Sequence, residues 1–138
     1  MENEIVNPPR LARPSGYSHG VRVGGGDLLF LAGQVGWDAE RRFVGADLTA
    51  QFEQALRNLQ AVVEHAGARM TDIVKMTIYV TDRQAYLDQL RPIGAIYRRY
   101  FGKYFPAMTL VEVKGLAEAE AKIEIEGIAT CPATRENG

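Results

Sequence analysis

The chain has 138 residues, 46% hydrophobic and 24% charged, with a net charge of −1. One domain of this size, spanning 1–138, buries a core without disulfides, and a lone cysteine, Cys131, excludes an intrachain disulfide framework and favours a reducing, cytoplasmic setting. The scattered Lys and Arg residues give no basic footprint for nucleic acid, and no apolar run approaches the roughly 18 residues that suggest a membrane span, so neither partner is expected.

Residues 1–20 hold three prolines and little periodicity, so the N-terminal stretch, 1–15 in particular, is predicted as an extended arm. Two apolar runs, 21–23 and 28–32, flank Gly24-Gly25-Gly26-Asp27, which predicts a hairpin. The second run is apolar at every position, so both of its faces are expected to be buried. Over 48–66 the period becomes helical: Phe52, Ala55, Leu56, Leu59, Val62, Val63 and Ala66 share one face. Asp47 or Thr49 can cap this helix, and Gly67 suits its end.

Residues 73–80 alternate as a strand. Val74, Met76, Ile78 and Val80 lie on one side, with Lys75, Thr77 and Tyr79 on the other. Thr81-Asp82-Arg83-Gln84 has capping-box spacing and opens a second helical region. Pro92 lies inside that region, which predicts a short first turn that breaks, with Pro92 near the start of the main helix. Gly102 ends it. Strands over 107–113 and 121–130 follow, and 132–138 is predicted as a flexible tail. The order ββαβαββ predicts an α+β fold: a mixed sheet with two helices on one face. The other face also carries apolar groups. A second subunit is its expected cover, which places any pocket there between subunits.

The residues then carry a resemblance. Tyr17 in Gly16-Tyr17-Ser18-His19-Gly20, Ala32-Gly33-Gln34, Asp72-Ile73-Val74-Lys75 with Tyr79-Val80, and Ile123-Glu124-Ile125-Glu126-Gly127-Ile128-Ala129 stand in order around Phe105-Pro106-Ala107-Met108-Thr109-Leu110-Val111-Glu112-Val113. Over roughly residues 15–130 this resembles the Rid/YjgF family of reactive intermediate deaminases, also called the L-PSP endoribonuclease family. The resemblance implies a homotrimer of chorismate-mutase-like subunits around a barrel-like core. It implies small-molecule pockets at the subunit interfaces, hydrolysis of enamines and imines to ketones and ammonia, and no cofactor.

Carried over by position, Glu124 matches the glutamate placed near the attacking water. Tyr17 and Gly33 match pocket-lining groups, and Leu110 stands where the family often has a small or sulfur-bearing residue. Met108 stands where the family has the arginine that grips a substrate carboxylate. A thioether cannot replace that charged fork, so an altered substrate is expected. Lys75, Arg22 or Lys114 are candidate replacement cations.

Structural alternatives stand beside each site residue. Glu124 can be an exposed or ion-paired strand residue, with Lys122 or Lys75. Tyr17 can be an arm aromatic packed on a neighbour, and Met108 can be ordinary core. His19, His65 and Cys131 read as structural. No metal-ligand spacing, phosphate-cradling loop or nucleophile elbow occurs in the sequence. The competing functions are a non-catalytic small-molecule-binding or regulatory trimer and, against the near-neutral charge, an endoribonuclease or translation inhibitor.

Overall fold

The structure, a computed structural model, describes residues 2–132. Beyond Pro132 the predicted tail lies outside the described residues. In chain order the elements are β1 (Glu4–Val6), β2 (Gly20–Arg22), β3 (Asp27–Val35), α1 (Leu48–His65), a 3-10 turn (Met70–Asp72), β4 (Ile73–Val80), α2 (Arg83–Leu87), α3 (Leu90–Phe101), β5 (Ala107–Glu112) and β6 (Ile123–Cys131). Four strands form one mixed sheet in the order β3-β6-β4-β5, in which β4 and β5 alone run parallel.

The long helix forms where the 3.6-residue period predicts it. The Asp47 carboxylate accepts a bond from the Ala50 N–H and another, at 2.7 Å, from the Thr49 hydroxyl. Gly67 follows the helix at φ 81°, a conformation that costs a side chain-bearing residue more. Phe52, Ala55, Leu56, Leu59 and Val63 bury completely or nearly so against the sheet. Each large apolar side chain among them contributes about 1.5–3 kcal/mol through burial.

In α3, Pro92 occupies the third position, within the first turn whose N–H groups have no helical acceptor. Gly102 ends that helix at φ 65°. From there an aromatic clip fixes the start of β5. Tyr97 stacks on Phe101 and Phe105 with ring centroids 4.4 and 5.0 Å apart. The Tyr97 hydroxyl donates to the Tyr104 carbonyl at 2.6 Å, and the Tyr104 hydroxyl donates to the Ile73 carbonyl.

Both long helices cover one face of the sheet. Leu31, Met76, Ile78, Val80, Ile123, Ile125 and Ala129 meet α1 and α3 there. On the other face the strand registers align Phe30 with Ile128, Tyr79 with Glu124 and Val111, and Thr77 with Glu126 and Thr109.

Three sequence expectations are corrected. The runs at 21–23 and 28–32 do not form a hairpin with each other. β2 pairs with β1 from the arm, and the sheet neighbour of β3 is β6. Asn3 ties this arrangement together: its side chain accepts from the Gly24 N–H at 2.9 Å and donates to the Thr130 hydroxyl at 3.1 Å. Within the chain, 28–32 buries one face only. Leu31 is 4% exposed, but Leu28 is 56% and Phe30 71% exposed, because the single helix layer covers one side. Finally, α2 is capped by Asp82, not Thr81: the Asp82 carboxylate accepts from the Ala85 N–H at 3.1 Å.

Candidate functional site

Glu124 lies on the sheet face that the helices leave open, opposite Tyr79 in β4. Its carboxyl reaches the bend in β3, where the register shifts between Leu31 and Gln34. Gly33 sits at that shift. A β-carbon there would stand 2.8 Å from Glu124 Cδ and 2.9 Å from Cγ, so glycine is what lets the carboxylate lie against the backbone. Among the described residues Glu124 makes neither an ion pair nor a side-chain hydrogen bond; Lys122 and Lys75 do not pair with it. Partial burial holds its pKa above the usual carboxylate range, and the negative charges of Glu126 and Glu118 push the same way.

Two other residues shape the surroundings of β6, Tyr79 beside Glu124 in the sheet and Gln51 ahead of the strand. Tyr79 donates from its hydroxyl to Glu126 Oε2 at 2.9 Å, and that bond raises the Tyr79 pKa. Glu126 is therefore engaged, which leaves Glu124 as the carboxylate with open lone pairs. Gln51, wholly buried in α1, holds the approach to β6. Its amide donates to the Gly45 and Glu120 carbonyls at 2.8 and 3.1 Å and accepts from the Lys122 N–H at 2.8 Å. Only the tertiary fold joins Gln51 to residues 120–122, so local sequence spacing carries no sign of it.

Tyr17 lies elsewhere, in a groove between the arm and the start of β5, with Arg13, Pro14, Lys103 and Phe105. The arm is pinned there by Ser18, whose N–H donates to the Pro106 carbonyl at 3.0 Å and whose hydroxyl donates to the Phe105 carbonyl at 2.6 Å. Tyr17 packs edge-on against His19 at 5.3 Å. The His19 ring bonds the Ala12 carbonyl at 2.7 Å and its N–H bonds Asn7, so its contacts are those of an arm staple.

Met108 and Leu110 are opposite Met76 and Ile78 in the parallel register, on the helix-covered face. Both pack against the core. Met108 also lines a cavity of about 400 Å³ between α3 and the sheet, next to Phe105 and the arm residues Ser15 and Gly16. Leu110 is not among its lining residues. Thus one chain brings Gly33 to Glu124 and gathers Tyr17, Phe105 and Met108 at the start of β5. It sets those two groups on opposite faces of the sheet.

None of the candidate replacement cations lines the Met108 cavity. Lys75 is on the open face, 3.2 Å from the Thr109 hydroxyl, and Arg22 faces Glu4 at 3.7 Å on the arm. Among the described residues no cluster of three or more His, Cys, Asp or Glu side chains could hold a metal ion, and no helix is long and apolar enough to cross a membrane.

The family profile described as Endoribonuclease L-PSP matches residues 9–131. A 2-iminobutanoate/2-iminopropanoate deaminase of Salmonella typhimurium is 37% identical over 126 residues, covering 89% of this chain and 91% of its own. A RutC family protein of Pyrococcus abyssi is 34% identical over 131 residues, covering 94% and 98%. Among solved structures, the Rid-family protein YyfB of Yersinia pestis superposes with a TM-score of 0.84 at 37% identity, covering 94% of this chain and 99% of its own. RidA from an Antarctic Psychrobacter gives a TM-score of 0.65 at 30% identity, covering 86% and 91%. With this sheet order, this glycine-backed glutamate and these relatives, the chain belongs to the Rid/YjgF family.

Proposed function

We propose that the protein is a hydrolytic deaminase of enamines and imines, acting at a site shared between subunits, with a substrate preference altered by Met108. The observation that carries this reading is Glu124: partly buried, unpaired among the described residues, raised in pKa and lying against Gly33. A carboxylate in that state is suited to take a proton from water. The water oxygen bonds to the imine carbon, the C=N electron pair moves to nitrogen, and the water proton passes to Glu124. Glu124 then returns the proton to nitrogen. The hydroxyl of the resulting carbinolamine gives its proton to Glu124, which passes it to the amine nitrogen; the C–N bond breaks as the C=O bond forms, and the products are the ketone and ammonia. An enamine enters after tautomerising to the imine. The deaminase names of the Salmonella and Escherichia coli relatives, each 37% identical, support the same chemistry.

The separation of the two groups supports a shared site. Exposed Leu28, Phe30 and Val111 leave apolar surface on the face that carries Glu124. A second copy of the chain is the cover this reading assigns, in a homotrimer. That arrangement lets the Glu124 of one subunit serve the Tyr17 and Met108 end of the next.

The test generates imines in situ from amino acids with an amino-acid oxidase and follows their decay. Native protein should accelerate the decay of at least one imine, and Glu124→Ala should lose about 100-fold of that rate. Unaltered turnover by Glu124→Ala, or no acceleration with any imine, would remove the proposal. Solution mass should be that of a trimer; a monomer would undo the shared site.

A further inference from the structure

We infer that Arg98 is the carboxylate-binding residue of this site, and that the substrate class is 2-imino acids with a bulky apolar side chain. This rests on the deaminase reading above and adds to it the group that selects the substrate. Six side chains, Phe52, Ile78, Leu90, Ile93, Phe105 and Met108, give the 400 Å³ cavity its apolar wall. Its volume falls within the range of small-molecule pockets. Among the described residues that line it, Arg98 is the one that carries a charge.

The Arg98 guanidinium folds back along α3. A β-carbon placed on Gly94 would be 3.4 Å from Arg98 Nη1. Gly94 sits in the middle of a helix, where glycine costs roughly 0.5–1 kcal/mol relative to alanine. At that separation an alanine would be in ordinary contact with the guanidinium, so the spacing places Arg98 beside Gly94 without requiring glycine there. Arg98 is exposed and makes no ion pair among the described residues, whereas its neighbour Arg99 is bound to Glu53 at 2.8 Å. A second donor lines the cavity. The Tyr86 hydroxyl makes no hydrogen bond among the described residues, and burial keeps it protonated as a donor.

These placements fit one ligand shape. In a 2-imino acid the carboxylate and the reacting carbon are one bond apart. With the carboxylate on Arg98, the reacting carbon stays at the rim and the side chain fills the apolar cavity over Met108. A short side chain leaves that cavity unfilled. A guanidinium at the floor, in place of Met108, would instead favour a short ligand drawn deeper.

The test uses stable analogues, so it does not depend on turnover. Native protein labelled with ¹³C in its methionine methyl groups is titrated with 4-methyl-2-oxopentanoate, with pyruvate, and with 4-methylpentan-2-one, which lacks the carboxylate. The Met108 methyl signal, assigned with Met108→Leu, should shift and saturate with the branched 2-oxo acid. Its affinity should exceed that for the ketone by about tenfold, the scale of one charge-assisted bond, and that for pyruvate by at least about tenfold, from burial of the three additional carbons. Arg98→Gln should lower 2-oxo acid affinity to that of the ketone and leave ketone binding unchanged. Arg98→Lys should be intermediate, and Arg57→Gln, on the exposed face of α1 and away from the cavity, should bind as native.

Native-like 2-oxo acid affinity in Arg98→Gln overturns the inference. So does a Met108 signal that does not move, or the absence of saturable binding. If these binding results hold and no imine is hydrolysed, the deaminase reading fails while the Arg98 site stands.

Discussion

Gly33 and Glu124 meet as backbone against carboxylate, with no room between them for a methyl group. The contact comes from the register shift in β3, which turns Gly33 toward β6. Gly33→Ala should push the Glu124 side chain aside, because the side chain yields more easily than the strand. Stability should change by no more than about 1 kcal/mol, since the displaced group is only partly buried. Imine hydrolysis should fall at least about tenfold, as expected when a general base leaves hydrogen-bond reach. Comparing denaturant midpoints with kcat/KM checks both. A large stability loss with intact turnover would show that the contact serves the fold.

The state of Glu124 also predicts how stability depends on pH. Burial raises the folded-state pKa above the unfolded value, so the folded chain holds a proton that the unfolded chain has released. Stability therefore declines as pH rises from the ordinary carboxylate range through the raised value, and levels off above it. Glu124→Gln removes this dependence. The variant should melt above the native protein at neutral pH, and the difference should shrink as pH falls below the ordinary carboxylate range. Thermal melts of both proteins across that range test the sign. A variant that is less stable at neutral pH would mean the carboxylate is held by favourable bonds instead. In the catalytic profile, activity should rise with pH through the same raised pKa, because the base acts when deprotonated.

Much of this architecture is legible in the sequence because it is local. The face of α1, the alternation of β4, the break ahead of Pro92 and the stop at Gly102 each rest on residues a few positions apart. The pairing of β2 was not legible, since its partner lies in a proline-bearing arm with no strand period. Glu124, Gly33 and Tyr17 were found by family pattern alone. That pattern places Met108 beside them but says nothing of sheet faces; the β4–β5 register puts Met108 on the side opposite Glu124. Gln51, and the Tyr86 and Arg98 of the proposed carboxylate site, carry no sign in the sequence for a common reason: a polar residue on a helix reads as solvated surface until the elements packed against it are known.

Gln51 gives the clearest stability prediction. Its amide satisfies three backbone groups, at Gly45, Glu120 and Lys122, from a fully buried position. Gln51→Leu keeps approximate volume and strips all three partners. Each unsatisfied group costs about 1–3 kcal/mol if it stays dry, and water reaching the loop offsets part of that, so a net loss of about 2–4 kcal/mol is expected. Urea unfolding with an unchanged slope would measure it. The loop before β6 should also loosen, so amide exchange should quicken at residues 120–122. A loss under about 0.5 kcal/mol would mean these bonds are redundant.

Met108→Arg tests the substrate assignment from the opposite direction. The new guanidinium would enter a cavity with apolar walls, with Arg98 already at its rim and no carboxylate among its lining residues. An unpaired buried charge beside a like charge is unfavourable, so the variant should melt below the native protein. A small carboxylate ligand supplies the missing partner. Pyruvate should therefore raise the melting temperature of the variant in proportion to the logarithm of its concentration above Kd, while leaving the native protein nearly unmoved. Hydrolysis should shift the same way: kcat/KM for 2-iminopropanoate should rise and that for a branched imino acid should fall, because the arginine side chain now occupies the space of the substrate's own. If the native protein already hydrolyses 2-iminopropanoate as fast as the variant does, Met108 does not set the preference, and the apolar cavity is core packing with no part in selection.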